Sequence, residues 1–490
     1  MLLWPTLVAA ALVPSSPGAR AIGAARPRPI VSAAPPPSRP AAPSALLAPI
    51  VPTGVLVLLH VALRRSLPLV GIEFPASIIG MLGGFAVLCC LPRPAAQRLE
   101  RFFEPACRLL REWLAAIFSP GFTALPLTMP AMRARDLGGF VALLVAGFVA
   151  TTASTAAIAT SLAPRRSVPF DDGGSDLASP DAGPPPALPN PFPRAQQGAL
   201  VSVMLACAAV HVFVLRDPYS LQLSLLAATL AAFSVASTTT PPSLKIWLHP
   251  FVTTSLCTLG ACAAIGAASH VGAATVVAAY SAPAGAGGAL TQLMGPAVIS
   301  FAFQLYAYRA QLRRRSVQIV GTALTGSLAA MLTSAAAARA AGLAPILRLA
   351  LISRNTISAL AIEICALLVR RSPSHLKIFP ESPLTTPLAP RLPSSQGVQP
   401  AALGLLAAFV TGLLAFPLGK ATLAWLNVRD PATRGLALAG AAHGGGLLSL
   451  ADEPEAFPFA ALMMNLSAAC AVILVSVPVV RKLLMRVALG

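Results

Sequence analysis

Long apolar runs of about 20 residues, separated by short polar segments, make up most of the chain. A helix of ~20 apolar residues spans the ~30 Å hydrocarbon core of a bilayer. The pattern therefore predicts an all-α polytopic integral membrane protein with about 12 or 13 helical segments. The predicted spans are 45–63, 70–92, 108–128, 137–162, 198–215, 220–240, 247–268, 288–308, 317–338, 345–369, 399–420, 432–451 and 457–480.

Polar intervals divide these spans into two blocks. Residues 1–44 contain a short apolar run and then an Arg-, Ser- and Pro-rich stretch without acidic residues, which predicts a signal- and transit-like targeting leader. A first membrane domain is predicted over 45–163, and a second over 198–490. The interval 164–197 is rich in Pro, Gly, Ser and Asp and is predicted to be a disordered linker. A second polar loop, 370–397, lies inside the second domain.

Glycines and polar residues interrupt some of the predicted spans. His443 and three successive glycines, Gly444 to Gly446, lie in the last long apolar region, and Thr291, Gln292 and Gly295 interrupt an earlier one. Polar groups at membrane depth must be paired or must line a cavity. We therefore expect broken or re-entrant helices in the C-terminal domain.

The distribution of basic residues also points to a broken span. The basic loop 309–315 and the basic C-terminal tail should share one side of the membrane if the positive-inside rule holds. Five predicted spans lie between them, an odd number. Either the rule fails for this pair, or one of the five is broken or re-entrant, and 432–451 is the first candidate.

Composition narrows the classes of function. The chain is 56% hydrophobic and 10% charged, and its net charge is +19. Most basic residues fall in the leader and in short loops without interleaved aromatics. We therefore expect these residues to contact membrane lipid and not nucleic acid. The eight cysteines have no metal-ligand spacing, so no disulfide, metal or cofactor is expected. The chain has no P-loop, HExxH motif or placed GxSxG motif, so no enzyme is predicted.

A candidate binding site follows from the polar residues at membrane depth. In transporters, discontinuous helices near the midplane bind anions through loose N–H groups, and an arginine adds charge. The predicted site residues are Arg354, Asn355, Thr356, His443, Gly444, Gly445 and Gly446.

Simpler interpretations remain open for His443, the glycines and Arg354. His443 could join two helices by a hydrogen bond, and the glycines could serve close helix packing. Arg354 could pair with Glu363 or extend toward the interface. Asp452, Glu453 and Glu455 precede the last span, where a solvated loop or a helix N-cap is the favoured interpretation.

Several segments together resemble a known family. They run in order from about residue 70 to the C-terminus, and each is weak alone. They are FPASIIGM (74–81), FFEPACRLLREWL (102–114), WLHPF (247–251), ISFAFQLY (299–306), VRDPATRG (428–435), AHGGG (442–446), DEPEAFPF (452–459) and SVPVVR (476–481). The chain resembles the family of plastidal glycolate/glycerate translocators, which fuse an LrgA/CidA-like holin-related block to an LrgB/CidB-like block.

The resemblance implies an LrgA-like domain at 45–163 and an LrgB-like carrier domain at 198–490. It implies a multi-pass protein of the chloroplast inner envelope that exchanges glycolate and glycerate during photorespiration. Its partners would be small carboxylates and lipid, with a possible homo-oligomer. Leu447 stands where the family pattern has a threonine, so the chain departs from the pattern beside the predicted site.

Other functions stay open at this point. A holin-like pore or regulator of membrane permeability would use the first block to oligomerise. A carrier for pyruvate or a related monocarboxylate would use the same site. A degenerate paralogue kept as a scaffold is a further alternative, suggested by Leu447.

Overall fold

The structure is a computed structural model that describes residues 48–71, 74–127, 134–164, 192–241, 244, 249–370 and 400–490. The predicted leader, most of the linker and nearly all of the loop 370–397 lie outside these residues. The described part is helical and contains no strand, and nine of its helical stretches are long and apolar enough to cross a membrane. The prediction of an all-α polytopic membrane protein is confirmed.

Five helices precede residue 164. They are α1 (Ile50–Leu69), α2 (Ala76–Cys90), α3 (Arg93–Glu112), α4 (Leu114–Thr123) and α5 (Ala134–Ser161). Helix α3 is amphipathic: it buries Ala106 and Leu110 and exposes Arg101 and Arg108. An amphipathic helix of this kind is suited to lie along the membrane interface.

Fifteen helices follow among the described residues. They are α6 (Arg194–Ala209), α7 (Pro218–Thr239), α8 (Pro250–Ala268), α9 (Ala273–Ser281), α10 (Ala286–Gln292), α11 (Met294–Ala307), α12 (Arg309–Arg314), α13 (Ser316–Ala340), α14 (Pro345–Ile352), α15 (Ser358–Arg370), α16 (Pro400–Leu414), α17 (Lys420–Trp425), α18 (Pro431–Ser449), α19 (Phe457–Ser476) and α20 (Pro478–Leu489). A π-helical turn, Ala415–Gly419, joins α16 to α17.

Helix α13 is long and unbroken, and its two ends mark the two faces of the molecule. With 25 residues it is about 37 Å long. Arg315, at its start, lies 3.8 Å from the carboxylate of Asp430. Arg339, at its other end, donates a 3.2 Å hydrogen bond to the carbonyl of Arg486 in the C-terminal helix. The basic loop 309–315 and the basic tail therefore lie at opposite ends of α13, and the positive-inside rule does not hold for this pair.

Helix α18 is a re-entrant hairpin, here called the second hairpin. At His443 the backbone leaves the helical region, with φ 39° and ψ −116°. The chain folds back so far that a Cβ on Gly446 would lie 2.3 Å from the carbonyl oxygen of Leu438. At the base, Arg434 binds Glu453 through two hydrogen bonds of 2.7 Å. The prediction that 432–451 is broken or re-entrant is confirmed.

Helices α14 and α15 form another reversal, here called the first hairpin, where the sequence predicts one continuous span over 345–369. Residues 353–357 are not helical. The hydroxyl of Ser353 lies 3.5 Å from the thiol of Cys365, and both border Gly404 on α16. Twelve residues of uninterrupted helix would separate Ser353 and Cys365 by about 18 Å, so the chain reverses between them.

The two hairpins enter from opposite ends of α13. The first follows the end of α13, and its Arg348 donates to the carbonyl of Ala488 in the C-terminal helix. The second hairpin begins beside the start of α13, where the carboxylate of Asp430 lies next to Arg315. The turns of both hairpins lie beside α16 in the interior of the protein.

The predicted interruption at Thr291 to Pro296 is displaced in the structure. The main break in this region lies at residues 282–285, between α9 and α10, and only a single turn residue, Leu293, separates α10 from α11. Pro296 is the third residue of α11, where the missing N–H costs little because the first turn has no intrahelical acceptor.

Candidate functional site

Arg354 lies at the turn of the first hairpin and is only 2% exposed. Its Nε donates to the hydroxyl of Ser334 on α13 at 2.8 Å. Its Nη2 donates to the carbonyl of Gly147 at 2.9 Å and to the hydroxyl of Thr151 at 2.5 Å, both on α5. Nη1 is buried and has no hydrogen-bond partner. The guanidinium is therefore held by neutral groups and presents one nitrogen without an acceptor.

His443 lies at the turn of the second hairpin and is 5% exposed. Its ring faces the backbone carbonyls of Ala408 on α16 and of Arg354. Nε2 is buried without a partner. Gly444 follows directly, and a Cβ there would meet only the sulfur of Met464, at 3.9 Å. The structure thus brings His443 and the backbone of Arg354 together, with Gly444 beside them.

Asn355 and Thr356 continue the first turn, and both are buried. Neither Nδ2 nor Oδ1 of Asn355 has a hydrogen-bond partner. The hydroxyl of Thr356 donates to the carbonyl of Ser353 at 2.8 Å, which stabilises the turn itself. Asn355 therefore has both a free donor and a free acceptor, whereas the Thr356 hydroxyl proton is already used.

The remaining two glycines lie against backbone. A Cβ on Gly445 would lie 1.9 Å from the carbonyl oxygen of Gly412 on α16, and one on Gly446 would meet Leu438. This geometry matches the packing interpretation for Gly445 and Gly446, because only a hydrogen fits at these contacts.

The polar residues of the earlier interrupted span lie elsewhere. The hydroxyl of Thr291 donates to a carbonyl of its own helix, and Gln292 donates to the carbonyl of Pro283 at the break between α9 and α10. Gly295 leaves room for the ring of His60 on α1. None of these contacts reaches Arg354 or His443.

Sequence reasoning missed Ser334, Gly147 and Thr151, the three residues that hold the guanidinium. For Gly147 and Thr151, both on α5, the sequence does contain a recognisable pattern. Gly147, Thr151 and Thr155 are spaced by four residues, so they lie on one face of α5. Small and hydroxyl residues at this spacing are typical of helix–helix contacts in membranes.

The acidic residues after the second hairpin form a surface cluster and do not reach the site. Lys420 binds Asp452 at 2.5 and 2.6 Å, and Arg434 binds Glu453. The ammonium group of Lys420 lowers the pKa of the Asp452 carboxyl. Glu455 is exposed. The arrangement fits the solvated-loop interpretation.

Among the described residues, no group of three His, Cys, Asp or Glu side chains could hold a metal ion. The polar groups of the candidate site are one guanidinium, one imidazole and one carboxamide, each with a free hydrogen-bonding atom. They lie where two re-entrant hairpins meet inside a helical membrane protein. This defines a class: a polytopic membrane protein with a buried, cationic site between opposed broken helices.

The particular family follows from sequence comparison. The model of the LrgB-like family matches residues 229–369 and 366–481, more than half of the chain, and the protein belongs to this family. Both hairpins lie inside the matched region, whereas α5 precedes it.

A curated relative extends the similarity to most of the chain. The protein is 28% identical over 453 residues to plastidal glycolate/glycerate translocator 1, chloroplastic, of Arabidopsis thaliana, which covers 89% of this chain and 80% of that protein. No solved structure matches the chain significantly.

Proposed function

We propose that the protein is a secondary transporter of small 2-hydroxycarboxylates, which exchanges glycolate and glycerate across the chloroplast inner envelope and serves photorespiration. The observation that carries the proposal is the buried Arg354 with its unpartnered Nη1. The similarity to a plastidal glycolate/glycerate translocator supports the choice of substrate and compartment.

The electrostatics of Arg354 favour an anionic ligand. Removing a charge from water costs several kcal/mol unless an opposite charge compensates it. The partners of Arg354 are a carbonyl and two hydroxyls, which are neutral. Glu363, the alternative partner suggested by the sequence, is exposed, whereas Arg354 is 2% exposed. A carboxylate bound at Nη1 would supply the missing counter-charge and accept its protons.

The neutral polar groups of the site favour a ligand that has a hydroxyl group beside its carboxylate. A hydroxyl both donates and accepts, and Asn355 offers one free acceptor and one free donor. His443 adds a ring nitrogen that can exchange a proton or a hydrogen bond. Buried polar groups left without partners penalise a ligand that lacks the matching hydroxyl. We therefore propose Arg354, Asn355 and His443 as the primary contacts, with Gly444 supplying backbone.

The opposed hairpins provide a route for alternating access. Each turn is reached from a different end of α13, so small movements of either hairpin would open the site to one face at a time. The predicted LrgB-like carrier domain, 198–490, contains both hairpins, and the predicted leader would direct the protein to the plastid.

The test is counterflow in proteoliposomes that contain the purified protein. Labelled glycolate should accumulate only when glycolate or glycerate is present inside. Unlabelled glycerate and lactate, which carry a 2-hydroxyl, should compete better than pyruvate, which lacks it. Arg354→Gln and His443→Ala should each reduce uptake at least tenfold. Arg339→Gln, which removes a charge at the end of α13, is the matched control and should transport like the wild type.

Three results would contradict the proposal. Unselective leakage of solutes would support a holin-like pore, and stronger competition by pyruvate would support a monocarboxylate carrier. Wild-type rates in both site variants would show that the site lies elsewhere.

A further inference from the structure

One face of α5 reaches both hairpins. We infer that α5 is part of the transport site and that Thr151 is a positioning residue for Arg354, so that the first membrane block takes part in transport. The inference rests on the proposed function. It concerns a helix that lies before the family match, which begins at residue 229.

Thr151 fixes which nitrogen of the guanidinium is free. Arg354 has five N–H groups: one on Nε and two on each Nη. Nε uses its proton on Ser334, and Nη2 uses both of its protons on Gly147 and Thr151. The two protons that remain are both on Nη1, which is buried and unpartnered. Without Thr151, a proton of Nη2 would be free and the guanidinium could rotate about its long side chain.

Gly147 provides the space in which the guanidinium lies. A Cβ at this position would be 2.8 Å from Cζ of Arg354 and 2.9 Å from both Nε and Nη2. These distances are shorter than real Cβ atoms show, so any larger residue must displace the guanidinium. The carbonyl of the same residue accepts from Nη2. Position 147 therefore sets how far the charge extends toward α5.

Thr155 lies on the same face of α5 and contacts the second hairpin. Its methyl carbon would lie 3.0 Å from a Cβ on Gly440, in the first limb of that hairpin. The methyl carbon and the hydroxyl of Thr155 would both lie 3.6 Å from a Cβ on Gly326 of α13. Helix α5 thus contacts both the second hairpin, which contains His443, and the guanidinium of Arg354. A helix from outside the LrgB-like region completes the site of that region.

The experiment compares two adjacent threonines of α5 in the full-length protein. Thr151→Val removes the hydroxyl that accepts from Arg354 and keeps the shape. Thr152→Val is the matched control, because Thr152 is also buried and its hydroxyl donates to the carbonyl of Phe148 in its own helix. The readout is the KM and maximal rate of glycolate counterflow in proteoliposomes.

The hydrogen bond from Arg354 to Thr151 is already formed without a ligand, so its loss acts on binding by displacing the guanidinium; a tenfold loss of affinity corresponds to about 1.4 kcal/mol. We therefore expect Thr151→Val to raise KM about tenfold with a smaller effect on the maximal rate, and Thr151→Ser to restore KM. Thr152→Val should behave like the wild type. Gly147→Ala should lower transport while the protein still inserts. If the valine variant does not accumulate in the membrane, Thr151→Ala gives the same comparison without the added methyl group.

The outcomes separate this inference from the proposed function. Saturable wild-type exchange with an unchanged KM in Thr151→Val would overturn the role of α5 and leave the proposed function standing. Equal losses in Thr151→Val and Thr152→Val would indicate general packing of α5 and would also overturn it. Absence of exchange by the wild type would refute the proposed function itself.

Discussion

The crossing of α16 and the second hairpin at Gly412 and Gly445 gives the sharpest prediction of stability. In Gly445→Ala, the new Cβ would lie 1.9 Å from the carbonyl oxygen of Gly412, whereas ordinary contacts begin at 3.4 Å. The two helices would have to separate by the difference, about 1.5 Å. Because the obstructing atoms belong to the backbone, no change of rotamer can relieve the overlap.

Overpacking of a buried contact typically costs about 1–3 kcal/mol, and a backbone clash belongs at the upper end. We expect Gly445→Ala to lower Tm by roughly 3 °C, because the unfolding entropy of a chain of this size is about 1 kcal/mol/K. Gly444→Ala is the control, because a Cβ there has 3.9 Å to its nearest neighbour and φ is not positive. Its Tm should equal that of the wild type. The measurement is thermal unfolding of the detergent-purified proteins, followed by the loss of the monodisperse peak in size-exclusion chromatography.

Two results would refute this reasoning. If Gly445→Ala melts with the wild type, α16 and the second hairpin do not cross as closely as the structure shows. If Gly444→Ala is destabilised as strongly as Gly445→Ala, the loss comes from the glycine run in general and not from the contact with Gly412.

Three further predictions concern the hairpin turn, the surface cluster and the topology. His443→Gly should abolish exchange but melt at a higher temperature than His443→Ala, because both variants lose the ring and only glycine relieves the strain of about 1–3 kcal/mol at φ 39° and ψ −116°; equal melting temperatures would contradict the strain. Lys420 lowers the pKa of the Asp452 carboxyl, so their pairing stabilises the protein above the ordinary pKa of a carboxyl and is lost as the pH falls through the lowered value. Because Asp452 is exposed, Asp452→Asn should cost under about 1 kcal/mol at pH 7 and less as the medium becomes more acidic, and a cost that does not change with pH would count against it. In a variant whose eight native cysteines are replaced by serine, single cysteines introduced by Arg313→Cys and Lys482→Cys should react with an impermeant maleimide from opposite sides of a sealed vesicle, and labelling of both from one side would disprove the assignment of faces.

The sequence was sufficient for the class of fold and for one of the two hairpins. Apolar runs of helical length predict the spans, and the glycines after His443 mark the second hairpin because they interrupt such a run. The first hairpin escaped prediction for a physical reason. Residues 345–369 stay apolar on both sides of the polar turn, and hydropathy is the same for a helix that continues and for one that reverses.

The candidate site was predictable only in part. Arg354, Asn355 and His443 stand out because polar groups at membrane depth are costly. Thr151 did not, since a threonine in a membrane helix usually bonds to its own backbone, as Thr152 does. Only the folded chain shows which of the two adjacent hydroxyls faces the guanidinium.

Basic residues at both ends of α13 affect how anions arrive. Arg313 and Arg314 lie near one end, and Lys482 and Arg486 lie near the other. Positive potential at an entrance raises the local concentration of anions and speeds their capture, and salt weakens the effect. A molecule that attracts anions at both faces favours neither direction of approach. Rates of uptake from the two sides should therefore fall together as ionic strength rises.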